Sequence, residues 1–272
     1  MAMDMQLQGK VVFVAGASRG IGRAIAEACL AEGAKVALAA RGREALEATH
    51  AVFAKQYGAD RLWSCCGDLA DTKVIEPALD AAERELGPLF AAVANIGGGS
   101  SPPGFDIADA DWEKAMDFNL TSAFRLVRGA LKRMVPRRAG AVLATSSIAG
   151  HSALGTPPAY GTAKAAMNQM VRELARLAAP SGVRVNAIAP GNIRFEGGFW
   201  DKMATSANAQ AWKDWIEREV PMQRFGRPEE IGHVAAMLLS PLSSFLTGQV
   251  VTVDGGQTIG RYFPGRPPVA GS

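Results

Sequence analysis

Apolar residues come along this chain in short solid blocks, each followed by a longer stretch in which they recur every three or four positions. The first block, residues 10–15, reads Lys-Val-Val-Phe-Val-Ala. A run of that length, β-branched and aromatic, predicts a strand covered on both faces. From Ile21 the pattern becomes helical, with Ile25, Cys29 and Leu30 on one face and Gly33 as the stop. The alternation then repeats. Strands are predicted at 35–40, 61–66, 90–95, 141–146 and 184–188, and helices at 43–57, 72–86 despite Pro77, 112–134 and 160–178. Short strands alternating with helices imply parallel β-α-β units with right-handed crossovers. The expected fold class is therefore α/β, a doubly wound parallel sheet with helices on both faces, and no internal repeat interrupts it.

Composition narrows the function classes. With 272 residues, 48% hydrophobic and 20% charged, the chain can bury a sizeable core and is not of disordered type. A formal charge of +3 gives no basic stripe of the kind nucleic acid requires. The opening Met1-Ala2-Met3-Asp4-Met5-Gln6 lacks the apolar stretch of a signal peptide, and no run approaches membrane-spanning length, so a cytoplasmic enzyme is expected. Cys29, Cys65 and Cys66 are expected as reduced thiols. His50, His151 and His233 share no ligand spacing with one another or with the cysteines, and no metal is expected.

Two constellations carry chemistry. Gly16-Ala17-Ser18-Arg19-Gly20-Ile21-Gly22 lies at a strand-to-helix junction. There Gly16 would allow a tight turn, Gly20 a close approach of backbone to a pyrophosphate, and Gly22 close helix packing, with the anion against the helix N-terminus. Farther on, Tyr160 and Lys164 stand four apart on one helical face, thirteen and seventeen residues after Ser147. An ammonium close to a phenol favours the phenolate and lowers a pKa that is ordinarily about 10. A serine hydroxyl within reach can hold the oxygen that receives the proton.

Gly16-x-x-x-Gly20-x-Gly22, Asp68, Asn95, Asn119, Ser147, Tyr160, Lys164 and Pro190-Gly191, in this order and spacing, resemble the short-chain dehydrogenase/reductase family in its compact single-domain branch. The resemblance runs from about Gly9 to Gly256, and the closing Gly226 to Ile231 and Leu246 to Gly256 segments are similar to those of its oxoacyl reductases. It implies a Rossmann-type fold and hydride transfer between a nicotinamide and a carbonyl or secondary alcohol carbon. Tyr160 would then be the general acid/base, Ser147 would hold the substrate oxygen, Lys164 would bind the nicotinamide ribose, and Asn119 would hold a water linking the lysine to solvent. It also places Ser18, Arg19, Ile21, Asp68 with Leu69, Asn95 with Gly97, Pro190-Gly191 and the Ile193 backbone on the cofactor. The family's N-N-A-G reads Ala94-Asn95-Ile96-Gly97 here, and its usual threonine is replaced by Phe195.

The second predicted strand ends Ala39-Ala40-Arg41 with no carboxylate to repel a 2′-phosphate, and Arg19 adds a second cation. This pair favours NADP over NAD. One domain is expected over residues 1–260, with a substrate lid at about 194–222 and a tail at 261–272. In the lid, Trp212 and Trp215 are expected to pack on their own helix, while His151, Phe195, Phe199 and Trp200 are candidates for an apolar substrate pocket. Other readings are a 3-oxoacyl thioester reductase acting on acyl carrier protein or CoA derivatives, an NAD-dependent alcohol dehydrogenase, a sugar-nucleotide epimerase or dehydratase, and a nucleotide-binding regulator without catalysis. A homotetramer or homodimer is expected from the resemblance. Arg125, Arg128, Lys132, Arg133, Arg137 and Arg138 are weighed both as a solvated face and as a docking patch for an acyl carrier protein.

Overall fold

The structure, a computed structural model, describes residues 4–99 and 101–259. The Tail at 261–272 lies outside the described residues. The chain alternates β1 (Val11–Ala15), α1 (Gly20–Ala31), β2 (Lys35–Ala40), α2 (Arg43–Tyr57), β3 (Leu62–Cys66), α3 (Thr72–Leu86) and β4 (Leu89–Ala94). After it come α4 (Asp109–Met116), α5 (Ser122–Arg137), β5 (Gly140–Thr145), α6 (Pro158–Ala178), β6 (Val183–Pro190), α7 (Phe199–Ala204), α8 (Ala209–Glu219), α9 (Pro228–Leu239) and β7 (Val250–Val253). The strands form one parallel sheet in the order β3-β2-β1-β4-β5-β6-β7. The order reverses between β1 and β4, and in such a sheet ligands bind beyond the carboxyl ends of the strands at that point.

Every residue of β1 is buried, which explains why its sequence is a solid apolar run. Strand periodicity divides the run between two cores. Val11, Phe13 and Ala15 face a layer with Leu79 of α3, Leu126 of α5 and Val171 of α6, whereas Val12 and Val14 face Ile25 of α1, Leu46 of α2 and Ile231 of α9. Each large apolar side chain fully buried in this way contributes about 1.5–3 kcal/mol. Asp71 caps α3 by accepting from the Lys73 amide at 2.8 Å, and the helix runs through Pro77 as the periodicity predicts.

One predicted element differs in kind. Residues 112–134 read as a single helix, but the structure places a π-helical turn at Asp117–Thr121 between α4 and α5. The Ser122 amide reaches back five residues to the Asp117 carbonyl. Side chains share in closing the widened turn: the Asn119 amide donates to the Ala115 carbonyl at 3.0 Å, and the Ser122 hydroxyl to the Phe118 carbonyl at 2.7 Å.

A buried cation fastens β6 to α9. The Arg184 guanidinium donates to the carbonyls of Leu238, Leu239 and Ser240, where the C-terminus of α9 supplies unpaired acceptors and favours positive charge. No helix among the described residues is long and apolar enough to cross a membrane.

Candidate active site

A cleft of about 580 Å³ opens at the carboxyl ends of β1, β2, β4, β5 and β6. Of the residues singled out in the sequence, Gly16, Ser18, Arg19, Ile21, Arg41, Asp68, Leu69, Asn95, Gly97, Ser147, Tyr160, Lys164, Pro190, Gly191 and Phe195 line it. Gly20, Gly22, Asn119 and Ile193 are not among its lining residues, although Gly22 packs against Gly16 and Asn119 against Gly97.

The glycine loop is tight because its neighbours leave no room for side chains. Gly16 has φ +69°, and a Cβ there would stand 2.3 Å from the Asn95 carbonyl; one on Gly22 would stand 2.2 Å from the Gly16 carbonyl. Asn95 secures the turn by donating to that same Gly16 carbonyl at 3.4 Å. The N-terminus of α1 thus lies beside the cleft with no side-chain cap from Arg19. Free amides there, with the Arg19 and Arg41 guanidiniums on the cleft wall, suit a dinucleotide's phosphates. Arg41 also lies over the Phe118 ring, 5.0 Å from its centroid, so the π-helical turn helps place this cation.

At the other end of the cleft β5 delivers Ser147 and α6 delivers Tyr160 and Lys164. The Ser147 hydroxyl accepts from the Ala149 amide at 3.2 Å and is close enough to Tyr160 to favour its phenolate. Lys164 is only 3% exposed, and its Nζ donates to the Thr145 carbonyl at 2.8 Å. Gly97 brings Asn119 alongside, since a Cβ on that glycine would stand 2.6 Å from Asn119 Oδ1 and 3.2 Å from Lys164 Nζ. Asn119 Oδ1 accepts from the Gly98 amide at 2.8 Å, which ties the π-helical turn to the loop after β4. Ser146 also borders the cleft, but its hydroxyl is engaged in donating to Asn168 Oδ1 at 2.6 Å, a structural role.

The electrostatics correct one expectation. Burial raises the Tyr160 phenol above its ordinary value, and the nearby Ser147 hydroxyl only partly offsets this. Burial also pushes the Lys164 ammonium down to about 8. The expected lowering of the phenol by the lysine is absent because Nζ points to the Thr145 carbonyl and sits 5.8 Å from the Tyr160 ring centroid, while burial disfavours both charged forms.

Three candidates for a substrate pocket lie elsewhere. Phe199 is 61% exposed, and Trp200 belongs to an aromatic cluster, stacked on Trp215 at 5.6 Å and edge-on to Trp212 at 5.8 Å. His151 is exposed after the turn that follows Ser147 and does not line the cleft. Their spacing from Ser147 and from Pro190-Gly191 does not fix where their side chains point. Phe195 does line the cleft, but on the side of the glycine loop. Two further wall residues carried no signal in the sequence: Phe118, and Thr145, whose buried Oγ1 has no hydrogen-bond partner.

The basic residues of α5 are mostly engaged by α3. Arg133 pairs with Glu76, Asp80 and Glu83, Arg137 with Glu83 at 2.7 Å, and Lys132 with Glu76 at 3.8 Å. Arg125 pairs with Asp117 at 3.1 Å, Arg128 lies over the Phe124 ring, and Arg138 donates to the Pro180 carbonyl.

Comparison with known proteins agrees with this arrangement. A family model described as enoyl-(acyl carrier protein) reductase matches residues 16–258. The chain is 32% identical over 254 residues to the 3-oxoacyl-acyl-carrier-protein reductase of Aquifex aeolicus, covering 93% of this chain and 99% of that protein. It is also 32% identical to D-threitol dehydrogenase of Mycolicibacterium smegmatis, with 94% and 95% covered. Among solved structures, L-sorbose reductase from Gluconobacter frateurii, complexed with NADPH and L-sorbose, superposes with a TM-score of 0.88 at 29% identity over 94% of this chain and 99% of that one. The glycine loop, the parallel sheet and these full-length matches place the chain in the short-chain dehydrogenase/reductase family of oxidoreductases acting on CH–OH and C=O groups.

Proposed function

We propose that this protein is an NADP(H)-dependent oxidoreductase that interconverts a small ketone and its secondary alcohol, with Tyr160 as general acid/base. The observation that carries the reading is the meeting of Ser147, Tyr160 and Lys164 in one wall of a cleft whose other end holds the glycine loop, Arg19 and Arg41. When bound, the nicotinamide supplies or takes up the hydride. In the reducing direction the Ser147 hydroxyl donates to the carbonyl oxygen, and the Tyr160 phenol gives that oxygen its proton. The raised phenol pKa keeps the proton on Tyr160 until it is needed. Lys164, charged below about pH 8 and fixed on the Thr145 carbonyl beside Gly97, would hold the nicotinamide ribose. Asn119 orders the Gly97–Gly98 backbone beside it. Arg41 and Arg19, with no carboxylate at the end of β2, support a 2′-phosphate.

The oxoacyl reductase among the relatives raises a carrier-borne thioester as substrate. The pairing of Lys132, Arg133 and Arg137 with the acids of α3 leaves that face nearly neutral, which favours a free small substrate. The deciding experiment follows nicotinamide absorbance with NADPH and NADH against ketones, secondary alcohols and oxoacyl thioesters. Turnover of small ketones with NADPH is the expected result; turnover only of carrier-bound thioesters, or a preference for NADH, overturns the corresponding part of the reading.

A further inference from the structure

The Phe195 ring lies against Gly20. A Cβ on Gly20 would stand 2.7 Å from the ring's Cε2 and Cζ and 2.9 Å from Cδ2. Gly20 opens α1, where the first amides have no partner within the helix and no side chain caps them. Phe195 also lines the cleft, so its ring stands between the open cleft and the donors best suited to an anion. An aromatic ring offers these amides only a weak acceptor and fills space that phosphate oxygens need.

The ring is carried by a turn with its own fastening. The Phe195 carbonyl accepts from the Gly198 amide at 3.0 Å, and Gly197 within this turn has φ +68°. Asp201 accepts from the Gly197 amide and from Arg194 Nε, both at 3.1 Å. The turn also approaches the glycine loop a second time, since a Cβ on Gly197 would lie 3.5 Å from Arg19 Nη1. Residues 195–198 therefore rest on Arg19 and Gly20 while remaining tied to α7 through Asp201.

We propose that Phe195 is a latch between the 194–222 lid and the glycine loop, so that seating the dinucleotide's phosphates displaces the ring and unfastens the lid in a single event. The proposal rests on the dinucleotide reading above. A site that binds only when unlatched has its affinity lowered by the unlatched fraction, and removing the latch restores it.

The test is stopped-flow binding of NADPH, followed through tryptophan fluorescence and checked by calorimetry. Phe195→Ala is expected to raise the association rate and tighten binding by roughly tenfold. Asp201→Asn, which loosens the turn and leaves the ring in place, should shift both in the same direction by a smaller factor. Near-ultraviolet circular dichroism identifies folded variants, and if Phe195→Ala does not fold, Asp201→Asn carries the test. Unchanged or slower association in a folded variant, with wild type binding normally, overturns the latch alone. Failure of the wild type to bind either NADPH or NADH overturns the dinucleotide reading and the latch with it.

Discussion

Around the glycine loop and the end of β4 the cleft is walled largely by backbone. Asn95 holds the Gly16 carbonyl, Gly22 leaves no space for a Cβ, and the β1 beneath them is wholly buried. Residues 194–222, of which Phe195 lines the cleft, are held together by other means. Helices α7 and α8 bury only Ile216, and their cohesion comes from Trp200, Trp212 and Trp215, joined by Phe225 at 5.6 Å from Trp200. Aromatic pairs of this kind add about 0.5–1.5 kcal/mol each beyond their buried area. The first side is fixed by the sheet and cannot move without unfolding its neighbours. The second rests on this small aromatic cluster, separate from the two cores of the sheet.

If this contrast is right, a change in the fixed side should damage chemistry or cofactor choice, and a change where residues 194–222 join α9 should cost only a little stability. The largest effect is expected at Tyr160→Phe. Turnover should fall by roughly two to four orders of magnitude with cofactor affinity nearly intact, measured by steady-state kinetics and calorimetry. Near-normal turnover would remove Tyr160 from the acid/base role. Next, Arg41→Asp should lower the NADPH/NADH ratio of kcat/KM by about 10- to 150-fold, the worth of one charge-assisted hydrogen bond of about 1.5–3 kcal/mol. An unchanged ratio would place the 2′-phosphate elsewhere.

A pH profile sharpens the same contrast. As Lys164 loses its proton above about pH 8, the rate of ketone reduction should fall by up to about tenfold per pH unit, while the Tyr160 phenol stays protonated. A rate that is flat from pH 7 to 10 would leave Lys164 without an electrostatic part. The smallest effect is expected at Glu230, which clasps Arg224 at 2.7 Å and accepts from the Arg227 amide at 2.7 Å where the chain after residues 194–222 enters α9. These bonds, the Arg224 one first, lower its carboxyl pKa to about 2. The folded pKa lies below the unfolded one, so this stabilisation is present above about pH 4.5 and is lost as pH falls toward 2. Allowing for solvent screening, Glu230→Gln should lower stability at pH 7 by about 1 kcal/mol, with the difference vanishing near pH 2 in thermal melts. A loss of the same size at both pH values would mean that the carboxylate charge plays no part.

The parallel sheet was legible because solid apolar runs are local signals that mark six of its strands, while β7 was read only from the resemblance of the closing segment. The glycine loop and the Ser147, Tyr160 and Lys164 spacing were legible for the same reason. What stayed hidden depends on residues distant in the chain. The acids of α3 that neutralise the α5 cations lie about fifty residues upstream, as with Glu76 and Arg133 at a separation of 57. The sign of the Tyr160 shift depends on burial, which the four-residue spacing does not contain. The aims of Phe199 and Trp200 depend on α8, where their aromatic partners lie. The π-helical turn left no trace because one extra residue hardly disturbs an apolar pattern spread over 112–134.

That extra residue has a consequence for protein engineering. A single π turn absorbs one extra residue while keeping the flanking turns nearly in register, so deleting any one position among Asp117–Thr121 would let α4 and α5 fuse into a regular helix with little rotation of one against the other. The deletion would straighten the helix, yet Phe118 would leave its place under Arg41 and Asn119 would lose the Gly98 amide. Alignment-guided loop trimming or consensus redesign that treats residues 109–137 as one uniform helix would thus disconnect both ends of the cleft in a single step, while secondary-structure content registered an improvement.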